Sequence, residues 1–169
     1  MKKIFTLALL VTVVFTVKAQ NKSESKSDNK VTFGVGPALS MPSGDFSNGW
    51  SFGIGAEVQV TYHASANFEG FAQAGYSSFS GKTIGGSKVP AMGFIPVLIG
   101  ARYVTDGFSF GAGLGYGSYS SSGSSSSGFT FSPQIGYSFN QIQVLANYTS
   151  TSVSGGNINF FGLKAYYNF

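Results

Sequence analysis

The chain has 169 residues, ten Lys or Arg against six Asp or Glu, a formal net charge of +4, one histidine and no cysteine. That length suits one domain. The missing cysteine excludes a disulfide framework and a thiolate metal site. Setting aside Lys2, Lys3 and Lys18 as leader residues leaves seven basic side chains against six acidic ones, too balanced for a nucleic-acid footprint.

The first residues, "MKKIFTLALLVTVVFTVKAQ", combine a basic start with an apolar run from Ile4 to Val17 and small residues before Ala19. This predicts a secretory signal peptide over 1–19, because the run is shorter than the ~20 residues a spanning helix needs. The stretch 20–30, "QNKSESKSDNK", is nearly free of apolar residues and predicts a flexible periplasmic tail.

From Val31 onward the chain alternates with a period of two, the signature of strands with unlike faces. Eight runs follow in order. "VTFGVGPALSM" begins at Val31 and "WSFGIGAEVQVTY" at Trp50, placed with its apolar set. A third runs from Asn67 to about Ser78, and a fourth, "IPVLIGARY", begins at Ile95. "FSFGAGLGY" begins at Phe108, "FTFSPQIGYSF" at Phe129, "QIQVLANYT" at Gln141 and "INFFGLKAYYNF" at Ile158. Each is about the ~9–11 residues with which a tilted strand crosses a bilayer.

The connections alternate in length. Short links fall at "HASA" (His63 to Ala66), "VTD" (Val104 to Asp106) and Asn140, and longer ones at "PSGDFSNG", "SGKTIGGSKVPAM", "SSSGSSSSG" and "STSVSGGN". Short turns on one side and long loops on the other are the pattern of an eight-stranded antiparallel up-and-down transmembrane β-barrel, an all-β fold, over 31–169.

The faces tell which side meets lipid. Charges in the strands are confined to Glu57, Glu69, Arg102 and Lys164, all opposite the apolar face, amid Gly, Ser, Thr, Gln and Asn. A water-facing surface would carry about a quarter to a third charged residues. The glycine-rich face therefore belongs to a narrow lumen, with the apolar face outward. Tyr62, Phe68, Tyr103, Phe108, Tyr137, Phe139, Tyr167 and Phe169 lie at the short-turn ends with outward parity, which predicts an aromatic belt at the periplasmic boundary. Phe71, Leu98, Leu145 and Tyr166 have lumen parity and are expected to fill it.

With "MPSGDFSNGWSFGIGAE", "IPVLIGARY" and the terminal "AYYNF", these eight runs resemble the OmpX/OmpA-type outer-membrane β-barrel domain over Val31 to Phe169. The resemblance implies residence in the cell outer membrane and contact with the assembly machinery, for which Tyr167 and Phe169 match the terminal aromatic signal. Lys164 departs from that pattern, standing where a glycine is usual, with Gly162 two residues earlier. The peptidoglycan-binding half of larger relatives is expected to be missing.

Little points to catalysis. His63 falls in a short turn, at the end opposite the one where lipid-trimming barrel enzymes resemble a His/Ser/acid arrangement, and no His or Cys cluster suggests a metal. No cofactor is expected. Two acids and two bases inside a narrow lumen predict pairing, Glu69 with Arg102 and Glu57 with Lys164, since isolated charges there are costly. The leading reading is a monomeric, non-enzymatic integral outer-membrane protein with an envelope-structural or surface-interaction role, its loops open to an extracellular ligand. A narrow porin-like channel, a lipid-modifying barrel enzyme and a soluble lipocalin-like binder are the alternatives.

Overall fold

In the computed structural model, residues 31–154 and 156–169 are described; the leader and tail expected over 1–30 lie outside them. Eight long strands form one closed antiparallel barrel. They are β1 (Val31–Ser43), β2 (Trp50–His63), β3 (Phe68–Gly81), β6 (Met92–Thr105), β7 (Phe108–Ser121), β8 (Ser124–Phe139), β9 (Ile142–Val153) and β10 (Gly156–Asn168). A single turn of helix, α1 (Phe46–Gly49), joins β1 to β2, and a small hairpin, β4 (Thr83–Ile84) with β5 (Ser87–Lys88), stands between β3 and β6.

The barrel closes where β1 meets β10, from Gly34 opposite Asn168 to Ser43 opposite Asn159. Phe33 and Phe169 exchange backbone hydrogen bonds of 3.3 and 2.9 Å at the end of that seam, so the final residue is paired into the sheet. Closure leaves no open edge along the wall, which is how a strand structure can satisfy its backbone in an apolar solvent.

Alternation divides the two faces as the period-2 pattern requires. Ile54, Val58, Val97, Ile99, Leu114 and Leu163 are exposed on the outside, while Gln59, Gln73, Arg102 and Lys164 are buried within. On β7 the outward residues are apolar from Phe108 to Tyr116 and then become Ser118 and Ser120. At ~3.3 Å per residue and ~40° tilt, that apolar stretch spans about 20 Å.

Glycine makes the narrow lumen possible. Glu57 stands opposite Gly75, Phe71 opposite Gly100, Arg102 opposite Gly111 and Leu145 opposite Gly136, so large inward side chains lie over neighbours that have none. A Cβ on Gly111 would come within 2.7 Å of Arg102 Cγ, and one on Gly100 would meet Phe71 Cζ at 2.5 Å.

Five expectations are corrected. β9 and β10 stay paired as far as Val153 opposite Gly156, so "STSVSGGN" is strand at both ends rather than a long connection. The serine-rich stretch after β7 is not a long loop: β7 and β8 continue pairing to Ser121 opposite Ser124, and only Ser122 and Gly123 turn, with φ of 50° and 82°. Serine has little strand preference, and here the register of the hairpin overrides composition. The third strand runs on to Gly81. Trp50 does not join the outward apolar row, because a register shift between Trp50 and Gly53 turns it onto the barrel mouth, where its Nε1 donates to Pro90 O at 3.1 Å. His63 belongs to the end of β2 rather than to the turn.

Candidate functional site

The inward faces build three layers between the short-turn mouth and the opposite one. Nearest the short turns, β1, β2 and β3 bring Thr32, His63 and Glu69 together. His63 Nδ1 is 3.0 Å from Glu69 Oε1, and its Nε2 is 3.3 Å from Thr32 Oγ1. The second Glu69 oxygen lies 4.0 Å from Arg102 Nη1 and makes no hydrogen bond. Glu69 and Arg102 are direct cross-strand neighbours, yet the contact between them is long.

The arginine is committed elsewhere. Its Nη2 donates to Gln59 Oε1 at 2.8 Å and its Nη1 to Gln143 Oε1 at 3.1 Å, while Phe71 lies under the guanidinium with its ring centroid 4.1 Å from Cζ. Gln59 donates to Gln143 at 2.7 Å, and Gln134 to Gln73 at 2.9 Å, tying β2, β3, β8 and β9 across the lumen. A buried guanidinium held by neutral carbonyls keeps its hydrogen bonds even where its ion pair is weak.

At mid-depth, Lys164 Nζ donates to Glu57 Oε2 at 2.8 Å and Tyr166 Oη donates to the same oxygen at 2.9 Å. Both charged residues are buried. This short, doubly bonded pair is where the lumen charge is concentrated. Between β8 and β9, Thr130 and Thr151 bond at 2.8 Å and Ser132 and Thr149 at 3.0 Å.

The layer toward the long-loop mouth is apolar. Phe79, Met92, Phe94, Ile158 and Phe160 point inward and pack with Phe46, which α1 folds down over the opening. The Phe46 ring lies 5.0 Å from Phe79 and 5.3 Å from Trp50, and Phe160 lies 5.4 Å from both Phe79 and Phe94. Sequence reasoning missed this layer, because beyond the apolar band the alternation inverts: Phe79 stands between Ser78 and Ser80, and Ile158 between Asn157 and Asn159, so the apolar residues are the inward ones. The glutamine layer was also missed, since glutamine on an inward face carries no signal about which partner it reaches.

Phe71, Leu98, Leu145 and Tyr166 are all buried within the lumen. The eight aromatic residues near the short turns, Tyr62, Phe68, Tyr103, Phe108, Tyr137, Phe139, Tyr167 and Phe169, are all exposed on the outside. Phe68 packs on Tyr103 at 5.3 Å and Phe108 on Tyr137 at 4.8 Å, and the Tyr167 hydroxyl donates to Gln141 Oε1 at 2.9 Å. Among the described residues no group of three or more His, Cys, Asp or Glu is placed to hold a metal ion.

No protein-family model matches the chain, and no curated protein matches it. Solved structures do. The crystal structure of Ail, the attachment invasion locus protein of Yersinia pestis, is 16% identical with a TM-score of 0.55, covering 82% of this chain and 97% of that one. The backbone structure of the same Yersinia pestis outer membrane protein in a phospholipid bilayer nanodisc is 14% identical with a TM-score of 0.59, covering 82% and 98%. The crystal structure of Neisserial surface protein A is 14% identical with a TM-score of 0.59, covering 83% and 96%. At such identities the likeness is one of fold: the chain has the eight-stranded architecture of outer-membrane β-barrel proteins.

Proposed function

We propose that the protein is a non-enzymatic resident of the outer membrane, a sealed barrel that presents its long-loop end at the cell surface in an envelope-structural or surface-interaction role. The observation that carries this reading is the combination of an apolar outer wall with an interior closed at three heights. A pore selects its ion with an uncompensated charge ring or a carbonyl filter. Here Glu57 and Lys164 neutralise one another, and Phe46, Phe79, Phe94 and Phe160 fill the wider mouth. The likeness to Ail, whose name describes attachment and invasion, supports surface display. Tyr167 and Phe169 serve as the assembly signal in this reading, and lipid and the assembly machinery are the partners during insertion. The test is liposome swelling with purified, heat-modifiable protein. No swelling in small sugars is expected, and sustained sugar flux would replace the sealed barrel with the channel.

One observation favours a hydrolytic alternative: Thr32, His63 and Glu69 stand in the atom order of a nucleophile, base and acid. Such a site also needs donors for the oxyanion, and the amide following the hydroxyl, Phe33 N, is already bonded to Phe169 O. Hydrolysis of short- and long-chain p-nitrophenyl esters that disappears in Thr32→Val would establish this alternative.

A further inference from the structure

Above the apolar wall, the outer faces of β3, β6, β7 and β8 carry a row that changes chemistry abruptly. The last apolar outward residues are Tyr76, Ile95, Tyr116 and Phe129, and the next positions on the same strands are Ser78, Gly93, Ser118 and Ser127. Ser78 pairs with Gly93, Gly93 with Ser120, and Ser120 with Ser125, so the row runs directly across four paired strands. A groove of about 370 Å³ runs along it, walled by Tyr76, Ser78, Gly93, Ser120, Ser124 and Ser125.

Its floor is the Tyr76 ring, which can lie over position 93 because that position has no side chain. A Cβ there would lie 3.0 Å from the Tyr76 hydroxyl, 3.1 Å from its ring and 3.3 Å from Ser120 Oγ. Tyr76 thus leans from β3 across β6 with its hydroxyl in the groove, and half of its surface remains exposed, 52%. The backbone of the row is consumed in strand pairing, so an extended peptide finds no free edge to join. What the groove offers is a ring and several hydroxyls that both donate and accept.

No charged side chain lines it. Lys82 is turned away, its Nζ bonded to Ser47 O at 2.6 Å, and Lys88 lines a separate hollow with Val89 and Pro90. We infer that this groove binds a neutral saccharide, with the hydroxyl row taking the sugar hydroxyls and the Tyr76 ring taking a face of C–H bonds. The inference rests on the proposed placement of the barrel in the outer membrane, which sets the groove at the level of lipid headgroups. The chemistry is shared by a free glycan and by the headgroup of a neutral glycolipid.

The test uses the full chain in phospholipid nanodiscs, after heat-modifiable migration has shown insertion; a chain that fails to insert counts against the membrane reading instead. One arm adds neutral tetrasaccharides of glucose, galactose or mannose, followed by saturation-transfer NMR and titration. The other places a neutral glycolipid carrying the same saccharide in the disc. Binding in either arm is expected, the first marking a free glycan and the second alone a headgroup. Tyr76→Ser, and separately Gly93→Val, which displaces the Tyr76 ring, should each weaken it about tenfold, the ~1.4 kcal/mol of one aromatic contact. Tyr116→Ser, outside the groove, should leave it unchanged. Either groove variant suffices if the other fails to insert. Absence of binding in both arms, indifference to the groove variants, or stronger binding of a sulfated disaccharide would overturn the proposal.

Discussion

Loss of one member of the mid-depth pair, Glu57 or Lys164, should destabilise the barrel far more than loss of Glu69. Lys164 Nζ lies 2.8 Å from Glu57 Oε2, both residues are buried, and the same oxygen also accepts from Tyr166. Removing one partner strands a charge without solvent, which costs ~3–5 kcal/mol when a pair is fully buried. Lys164→Met leaves the Glu57 carboxylate with the Tyr166 hydroxyl, and Glu57→Gln leaves the ammonium facing an amide. The double variant removes both charges and should recover much of the loss, giving a coupling of about 2 kcal/mol or more. Glu69 and Arg102 should behave differently. Their contact is 4.0 Å, Glu69 shares itself with His63, and Arg102 keeps its bonds to Gln59 and Gln143. The Glu69→Gln, Arg102→Met cycle should therefore give a coupling below ~1 kcal/mol, because the two charges scarcely meet. Reversible urea unfolding in lipid vesicles, with both cycles measured side by side, is the assay. Losses at 57 and 164 that add to within ~0.5 kcal/mol would mean the pair is not an energetic unit. A larger coupling at 69 and 102 would mean that the layers are misassigned.

Other outcomes follow from the same geometry. Gly111→Val, which drives a side chain into Arg102 and the Ala101 carbonyl, should lower stability by ~1–3 kcal/mol or prevent folding; the urea midpoint or the heat-modifiable fraction reads this. Phe46→Ala should cost roughly 3 kcal/mol by emptying the mouth, and it should still admit no sugar in liposome swelling, because Phe79, Phe94 and Phe160 remain below. Trypsin added to intact cells should cut at Lys82 or Lys88 in the β4–β5 region or not at all, whereas cleavage at Lys22 or Lys26 without permeabilisation would reverse the orientation. Deleting Phe169 removes its two backbone bonds to Phe33 at the seam and should lower the heat-modifiable fraction of the protein in membranes.

The wall was legible in the sequence because a sheet between two environments writes a period of two into its residues. Parity alone places Tyr62, Val97 and Leu163 outward, and Glu57 and Lys164 inward. The pairing Glu57–Lys164 was also legible, because few charges occupy the inward face. The ends were harder. Phe79, Phe94 and Phe160 are inward like Glu57, but near the long-loop mouth the outside turns polar, as at Ser78 and Ser120, and the rule that apolar means outward reverses. Trp50 fails for a different reason: one register shift reverses the side on which a residue points. Composition misled in the serine-rich hairpin, where Ser118 opposite Ser127 and Ser120 opposite Ser125 continue a ladder begun by Phe110 and Leu114. The partners of Arg102 were invisible because Gln59 and Gln143 are far apart in sequence and meet only when the barrel closes.

The proposed function requires that the apolar face look into lipid and the polar face into a sealed interior. Fractionation of expressing cells, with carbonate extraction and comparison of unheated and boiled samples on the same gel, tests it most directly. Carbonate-resistant recovery in the outer-membrane fraction is expected, with a faster-migrating compact band that shifts on boiling. Recovery as soluble periplasmic protein would contradict it, and the apolar residues would then have to face inward.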